Sequence, residues 1–334
     1  MERSFEQRIS TVITVARAFA LISIVCAHIV FSSGTPYAIT KIYSAIASIG
    51  VVCYLFAAGY YYNPQKYTFT GLLKNKATTI VLPWVFLGTV SYLYNAILSK
   101  NLSIIGYFKW IIGNGSFLYF MTVLVICFLI FYRTNKFVLV ASIIVNLISL
   151  ALTATKIIDP VINALHITNY LNVFNWIGIF AVGMLVKKIP AERFYWFIRK
   201  MRFVFLGLFA VAVALVCVFD VWVGYFSYVG IWLELLGTLT ILGISTMKIF
   251  ENKFVFDLSN LSFTIYLMHM MVIGVFDRLY NIHPITQAMS VFIVIGICYG
   301  ALFVARWAIR FVKLEKYLYP LFGFRTRRLE IKEK

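Results

Sequence analysis

An all-α polytopic integral membrane protein of about ten transmembrane helices, with both termini in the cytoplasm, is the fold class this sequence predicts, and three observations predict it. Of 334 residues, 62% are hydrophobic and 13% are charged, with a mean hydropathy of +0.90. Soluble chains sit nearer half apolar and a quarter charged. Those proportions leave about 207 apolar positions, enough for about ten bilayer-crossing helices at roughly 20 residues each. The apolar runs are continuous rather than alternating, and a lipid-exposed run must satisfy its own backbone as a helix. The balance excludes a soluble enzyme, a nucleic-acid-binding domain and a disordered chain. It also leaves no room for a sizeable soluble domain, so residues 1–334 read as one membrane unit with a short basic tail from about 310.

The ten segments follow from where the runs stop. Span 11–32 follows Arg8 and ends before Gly34 and Pro36, and 42–62 follows Lys41 and ends before Asn63 and Pro64. Span 77–98 lies between Lys76 and Lys100, 114–132 ends at Arg133, and 136–154 ends before Lys156. Span 168–187 closes on Lys187, 203–220 runs from Arg202 to Asp220, and 226–247 stops at Lys248. The last two, 258–276 and 286–309, lie between Asp257 and Asp277 and between Pro284 and Arg310. Segment 101–113, apolar and aromatic but too short to cross, is expected to lie along the membrane surface as a helix. The first run carries no small-residue cleavage site and is expected to be retained.

Orientation comes from the cations. If the spans alternate, 24 of the 30 Lys and Arg residues fall on the side that holds both termini, and five on the other. The positive-inside rule then places both termini in the cytoplasm and requires an even number of spans. This bias accounts for the net charge of +18 without nucleic acid, and the basic tail reads as a solvated face near anionic lipid. The five cysteines all lie in apolar runs without metal-like spacing and read as packing residues, and no metal is expected.

Ionisable groups at membrane depth need partners and are candidate functional residues. Arg17 interrupts the first span, and His28 lies eleven residues on. In a continuous helix that spacing puts both on one face, about 16 Å apart along the axis. Snorkelling of Arg17 and simple helix packing by His28 are the plainer readings. His269 falls near the middle of the ninth span with Tyr266 one turn away, a pair that could bind substrate, relay a proton or lock helices together. Glu234 is the one carboxylate placed inside the membrane, and Arg17, His28 and His269 are all candidate partners for it. Lys74 and Lys76 precede the expected start of the third span, where helix N–H groups would add to a phosphate site. Ordinary positive-inside charge explains them equally. Pro83 is expected to kink that span. His166 and His283 fall in outer loops and read as surface residues.

Arg17 and His28 in a first span, with Leu261-Ser-Phe-Thr-Ile-Tyr-Leu-Met-His269 late in the chain, resemble the signatures of the bacterial membrane acyltransferase-3 family. Between them, Leu55-Phe-Ala-Ala-Gly-Tyr60 looks like its "SGF" ending, Lys74/Lys76 running into Val81-Leu-Pro-Trp84 like its basic motif before a proline, and Phe174 to Gly183 like its "F…LG" span. The resemblance covers about 10–310. It departs where lysines replace arginines in the basic motif, losing the bidentate fork, and where Ala58 stands for serine.

The resemblance implies transfer of an acetyl or other short acyl group from acyl-coenzyme A, as co-substrate, to a hydroxyl of a surface polysaccharide or lipid-linked sugar in the bacterial cytoplasmic membrane. His28 becomes the catalytic base, with an acyl-histidine route as the nucleophilic variant. Arg17, Lys74 and Lys76 become donor-site residues, and Tyr266 or His269 steadies the developing oxyanion. Guanidinium and imidazole are then expected to point into one passage open to both compartments. The partners are the bilayer, the acyl donor and a glycan acceptor, and a homo-oligomer is compatible with the sequence. An exporter or flippase for a glycan or lipid-linked sugar, with His28 as a relay or contact residue, is the rival reading.

Overall fold

The computed structural model describes residues 3–31, 35–279 and 284–324, and among these every regular element is helical. Helix α1 (Phe5–Cys26) opens with a capping box, in which the Ser4 hydroxyl accepts from the Gln7 N–H and the Gln7 side chain accepts from the Ser4 N–H. Helices α2 (Tyr37–Ala47) and α3 (Ile49–Tyr61) form one span bent at Ser48. Helix α4 (Phe69–Lys76) continues through a π-helical turn, Ala77–Val81, into α5 (Leu82–Ser99). The remaining elements are α6 (Ile104–Ile112), α7 (Tyr119–Ile130), α8 (Lys136–Ala154), α9 (Asp159–Ala164), α10 (Ile177–Val186), α11 (Ala191–Val218), α12 (Tyr228–Ile244), α13 (Lys253–Leu279), α14 (Pro284–Phe311) and the short α15 (Glu315–Leu318).

Seven of the expected segments are helices long and apolar enough to cross a bilayer. They are Phe5–Cys26, Tyr37–Tyr61, Phe69–Ser99, Lys136–Ala154, Ala191–Val218, Lys253–Val275 and Met289–Phe311. The other three segments hold the shorter apolar helices Tyr119–Ile130, Val173–Val186 and Tyr228–Ile244. The protein is thus a multi-pass helical membrane protein.

Helix α1 is the hub and touches α2, α3, α11, α12, α13 and α14. Glycines set the closest approaches. A Cβ on Gly59 would stand 2.0 Å from the Phe180 carbonyl oxygen, and one on Gly183 would stand 2.2 Å from that of Phe56. Helices α3 and α10 therefore meet backbone to backbone, as membrane helices do where side chains vanish. This gives the aromatic–glycine motifs at Phe56–Gly59 and Phe180–Gly183 a packing role. Gly50 does the same for α1, since its Cβ would lie 2.7 Å from the Ala20 carbonyl. At the end of the bundle where α1 finishes, Lys41 and Asp220 pair at 2.7 Å, and this ammonium holds the Asp220 carboxyl below the usual carboxylate range.

Three expectations need correction. The first helix stops at Cys26 rather than reaching 32, closing at Ala27, whose N–H donates back to the Ser23 and Ile24 carbonyls. His28 therefore sits beyond the cap at Ala27, outside the rod that carries Arg17. The third span does not begin after Lys76. Thr68 caps the helix, and Lys74 and Lys76 occupy its last α-turn before the π segment. No N–H groups are freed there, so the helix-end phosphate site disappears. Pro83 leaves the Thr79 carbonyl without its usual donor, and widening to π geometry upstream absorbs this without a break. Segment 101–113 does form a helix too short to cross, α6, capped by Ser103 and closed by Gly113 at φ 84°. Ile104, Ile105 and Phe108 project from it, exposed. His283 and the tail beyond 324 lie outside the described residues.

Candidate active site

The end of α1 is pinned before the chain turns. Ser23 donates its hydroxyl proton to the Ile46 carbonyl at 2.5 Å, tying α1 to the bend between α2 and α3. The His28 N–H then closes a turn onto the Val25 carbonyl at 3.1 Å. This turn aims the half-buried His28 imidazole at α13, where its ring centroid lies 5.0 Å from that of His269.

His269 is fully buried, and its Nδ1 lies 2.5 Å from the Tyr266 carbonyl oxygen. A carbonyl can only accept, so Nδ1 carries the proton and Nε2 presents a lone pair. That Nε2 is buried without a hydrogen-bond partner. Phe117 braces the group edge-on, 6.3 Å from His28, 5.4 Å from His269 and 5.7 Å from Tyr266 between centroids. The Tyr266 hydroxyl donates to the Phe117 carbonyl and so ties α13 to the loop before α7. Its proton is committed there, which makes Tyr266 a positioning residue rather than a free oxyanion donor. In its Nδ1–H form His269 likewise offers an acceptor, not a donor, at Nε2.

A cavity of about 430 Å³ opens on His28. Trp110 from α6, Phe117, Tyr119, Tyr170, Tyr225 and Tyr266 give it an aromatic wall, with Ser116 and Thr168 as small hydroxyls. Three of these rings, Phe117, Tyr170 and Tyr225, come from the connections 113–118, 165–172 and 219–227, and the other three stand on α6, α7 and α13. Tyr225 donates to the Ala47 carbonyl at 3.0 Å, and burial pushes its phenol far above its ordinary value, so it remains a neutral hydroxyl.

Glu234 on α12 is buried behind this wall, in electrostatic reach of Tyr119, Tyr170 and Tyr225. Its Oε1 has no hydrogen-bond partner, and among the described residues it forms no ion pair with Arg17, His28 or His269.

Arg17 does not line this cavity. Its Nη2 donates to the Ser259 carbonyl and the Ser262 hydroxyl, both at 3.3 Å, joining α1 to α13. No carboxylate pairs with it among the described residues. Lys74 is exposed, while the Lys76 ammonium rests 3.6 Å from the Phe128 ring centroid. The structure therefore gathers His28, His269 and Tyr266, with Glu234 behind the cavity tyrosines Tyr119, Tyr170 and Tyr225. Arg17, Lys74 and Lys76 stand apart from that cluster, and the single passage expected to hold both Arg17 and His28 is not the cavity seen.

The aromatic wall escaped the sequence reading because half of its rings lie in connections without periodicity and the other half on three helices distant in the chain. A usable signal existed in the density of Trp and Tyr at the chain's loop ends. Comparison with known proteins matches residues 11–307 to the family model described as "Acyltransferase domain", that of the acyltransferase-3 family. No curated protein and no solved structure matches the chain.

Proposed function

The chain belongs to the acyltransferase-3 family, and on that premise we propose that it moves a short acyl group, acetyl in the simplest case, from acyl-coenzyme A to a hydroxyl of a surface polysaccharide or lipid-linked glycan. The observation that carries the reading is His28, packed against His269 and Phe117 and lining the aromatic cavity. Sugar rings present apolar C–H faces and hydroxyl edges, which suits a wall of rings interleaved with phenols and small hydroxyls. We place this protein in the bacterial cytoplasmic membrane, with ten spans that count the three shorter helices, and both termini inside.

In the proposed reaction His28 accepts the proton of an acceptor hydroxyl as that oxygen attacks the thioester carbonyl carbon. The new C–O bond forms, the C–S bond breaks, and the proton passes to the departing thiolate. A neutral imidazole carries a ring lone pair that can take that proton and then return it. The unpartnered His269 Nε2 supplies a second acceptor beside it. Tyr266 holds the geometry through Phe117. Arg17, the inner guanidinium without a carboxylate, and the cations Lys74 and Lys76 receive the donor's phosphates from the cytoplasmic side. The acceptor meets its end of the cavity at the outer surface, with α6 as the membrane-resting wall.

The test is turnover by the purified full chain. Acyl-coenzyme A consumption that depends on added glycan supports transfer. Glycan flux across vesicles with no acyl consumption supports export instead.

A further inference from the structure

A second and larger cavity, about 830 Å³, lies at the end of the bundle where α1 begins. The start of α1, the first turns of α11 and the short helix Lys248–Phe250 wall it. Arg3, Arg8, Arg199, Arg202 and Lys248 line it, with Glu251 as the one lining carboxylate. Glu251 is already taken by Arg3 at 2.6 Å. Arg199, Arg202 and Lys248 have no carboxylate partner among the described residues. Two features build this convergence. Tyr195, Arg199 and Arg202 follow a four- and three-residue spacing that puts them on one face of α11. Gly243 lets α12 approach that face, since a Cβ there would stand 2.9 Å from the Arg202 Cα, and so brings Thr246–Lys248 alongside.

The rim shows what kind of anion this concavity meets. Arg199 lies 5.0 Å from the ring centroid of Trp196, and Arg202 lies 4.7 Å from that of Phe203. Both rings are exposed on a helix whose outward face is apolar along Leu208, Val211 and Leu215. Aromatic side chains between an apolar face and a cluster of cations mark the headgroup level of a bilayer. Basic pockets between helices at that level recognise phosphate headgroups. The cavity shares no lining residue with the one at His28. Arg8 and Cys26, the last residue of α1 before the turn that carries His28, are also separated by eighteen residues, about 27 Å at helical rise.

We propose that this cavity binds the phosphate headgroup of an anionic phospholipid, at a site separate from acyl transfer. Arg199, Arg202 and Lys248 engage the phosphate oxygens, while the acyl chains run down the apolar face of α11. The proposal is independent of the acyl-transfer reading, since its readout is lipid retention.

Native mass spectrometry of the detergent-purified full chain tests it, with phosphatidylglycerol, phosphatidylcholine and coenzyme A as separate probes. Wild type should retain phosphatidylglycerol at least about tenfold better than phosphatidylcholine, the scale expected of a few interfacial cations. The triple variant R199Q/R202Q/K248Q should lose that preference, and R199K/R202K should keep it. Because the Arg199 and Lys248 side chains are exposed, the single variants R199Q and K248Q keep the test open should the triple variant fold poorly, and each should weaken the preference. Equal retention of both lipids by wild type, or an unchanged preference in the glutamine variants, would overturn the proposal. So would coenzyme A binding that falls with the triple substitution while lipid preference stays, which would assign the cavity to a nucleotide.

Discussion

His28 and His269 face each other with ring centroids 5.0 Å apart, though 241 positions separate them in the chain. The two imidazoles differ in freedom. His269 is locked by its Nδ1–H bond to the Tyr266 carbonyl, whereas His28 sits on a turn beyond a helix end and borders a cavity. A fixed partner and an accessible one make a workable site for moving a proton, and the predictions below follow from that difference.

His269→Asn is expected to keep a donor near the Nδ1 position and to remove the Nε2 lone pair. The variant should fold, bind donor as wild type does, and lose about tenfold to a hundredfold in turnover, part of the range attributed to positioned proton acceptors. Steady-state kinetics on folded protein check this, and unchanged turnover would make His269 a packing residue.

Tyr266→Phe removes the hydroxyl that donates to the Phe117 carbonyl. Leaving that buried carbonyl unpaired should cost about 1–3 kcal/mol of stability. Because Phe117 braces both imidazoles, turnover should fall as well, with little change in donor KM. Thermal denaturation together with kinetics separates the two effects.

Glu234→Leu tests the carboxylate behind the aromatic wall. Glu234 reaches Tyr119, Tyr170 and Tyr225, which line the cavity proposed to take the acceptor. Acceptor KM should rise by about tenfold, equivalent to about 1.4 kcal/mol, with donor KM unchanged. A donor effect would move Glu234 to the other half of the reaction.

Gly59→Ala places a methyl 2.0 Å from the Phe180 carbonyl oxygen. The neighbour is backbone and cannot swing aside, so α3 and α10 must part. A loss of about 1–3 kcal/mol or more is expected, read as a lower midpoint of thermal unfolding in detergent. Gly207→Ala is the control, because a Cβ there meets nothing within 4 Å.

The helical membrane fold was legible because its signal is one-dimensional. Long apolar runs stopped by charge or proline locate helices such as α8 and α12 within a few residues, whereas α11 begins twelve residues before its apolar run, at Ala191. The ends were harder. Nothing in periodicity says that α1 stops at Cys26, and placing His28 on the rod gave a helical-face argument that the turn at Ala27 removes. Lys74 and Lys76 misled because charge was read as a boundary, while Thr68 supplies the cap and the helix runs through. His28, His269 and Tyr266 were identifiable as ionisable or polar groups among apolar neighbours. Their meeting was not, since it depends on α1 packing against α13. The aromatic wall and the basic cavity were invisible for the same reason, as each assembles from segments distant in sequence.

Label transfer with His28→Gln tests the central claim most directly. Purified wild type and variant, matched for thermal stability, receive coenzyme A carrying a radiolabelled acetyl thioester together with a glycan acceptor. Wild type should move label onto the glycan, and the variant should be slower by about a hundredfold or more. Glycan labelled by the variant at the wild-type rate would contradict the account.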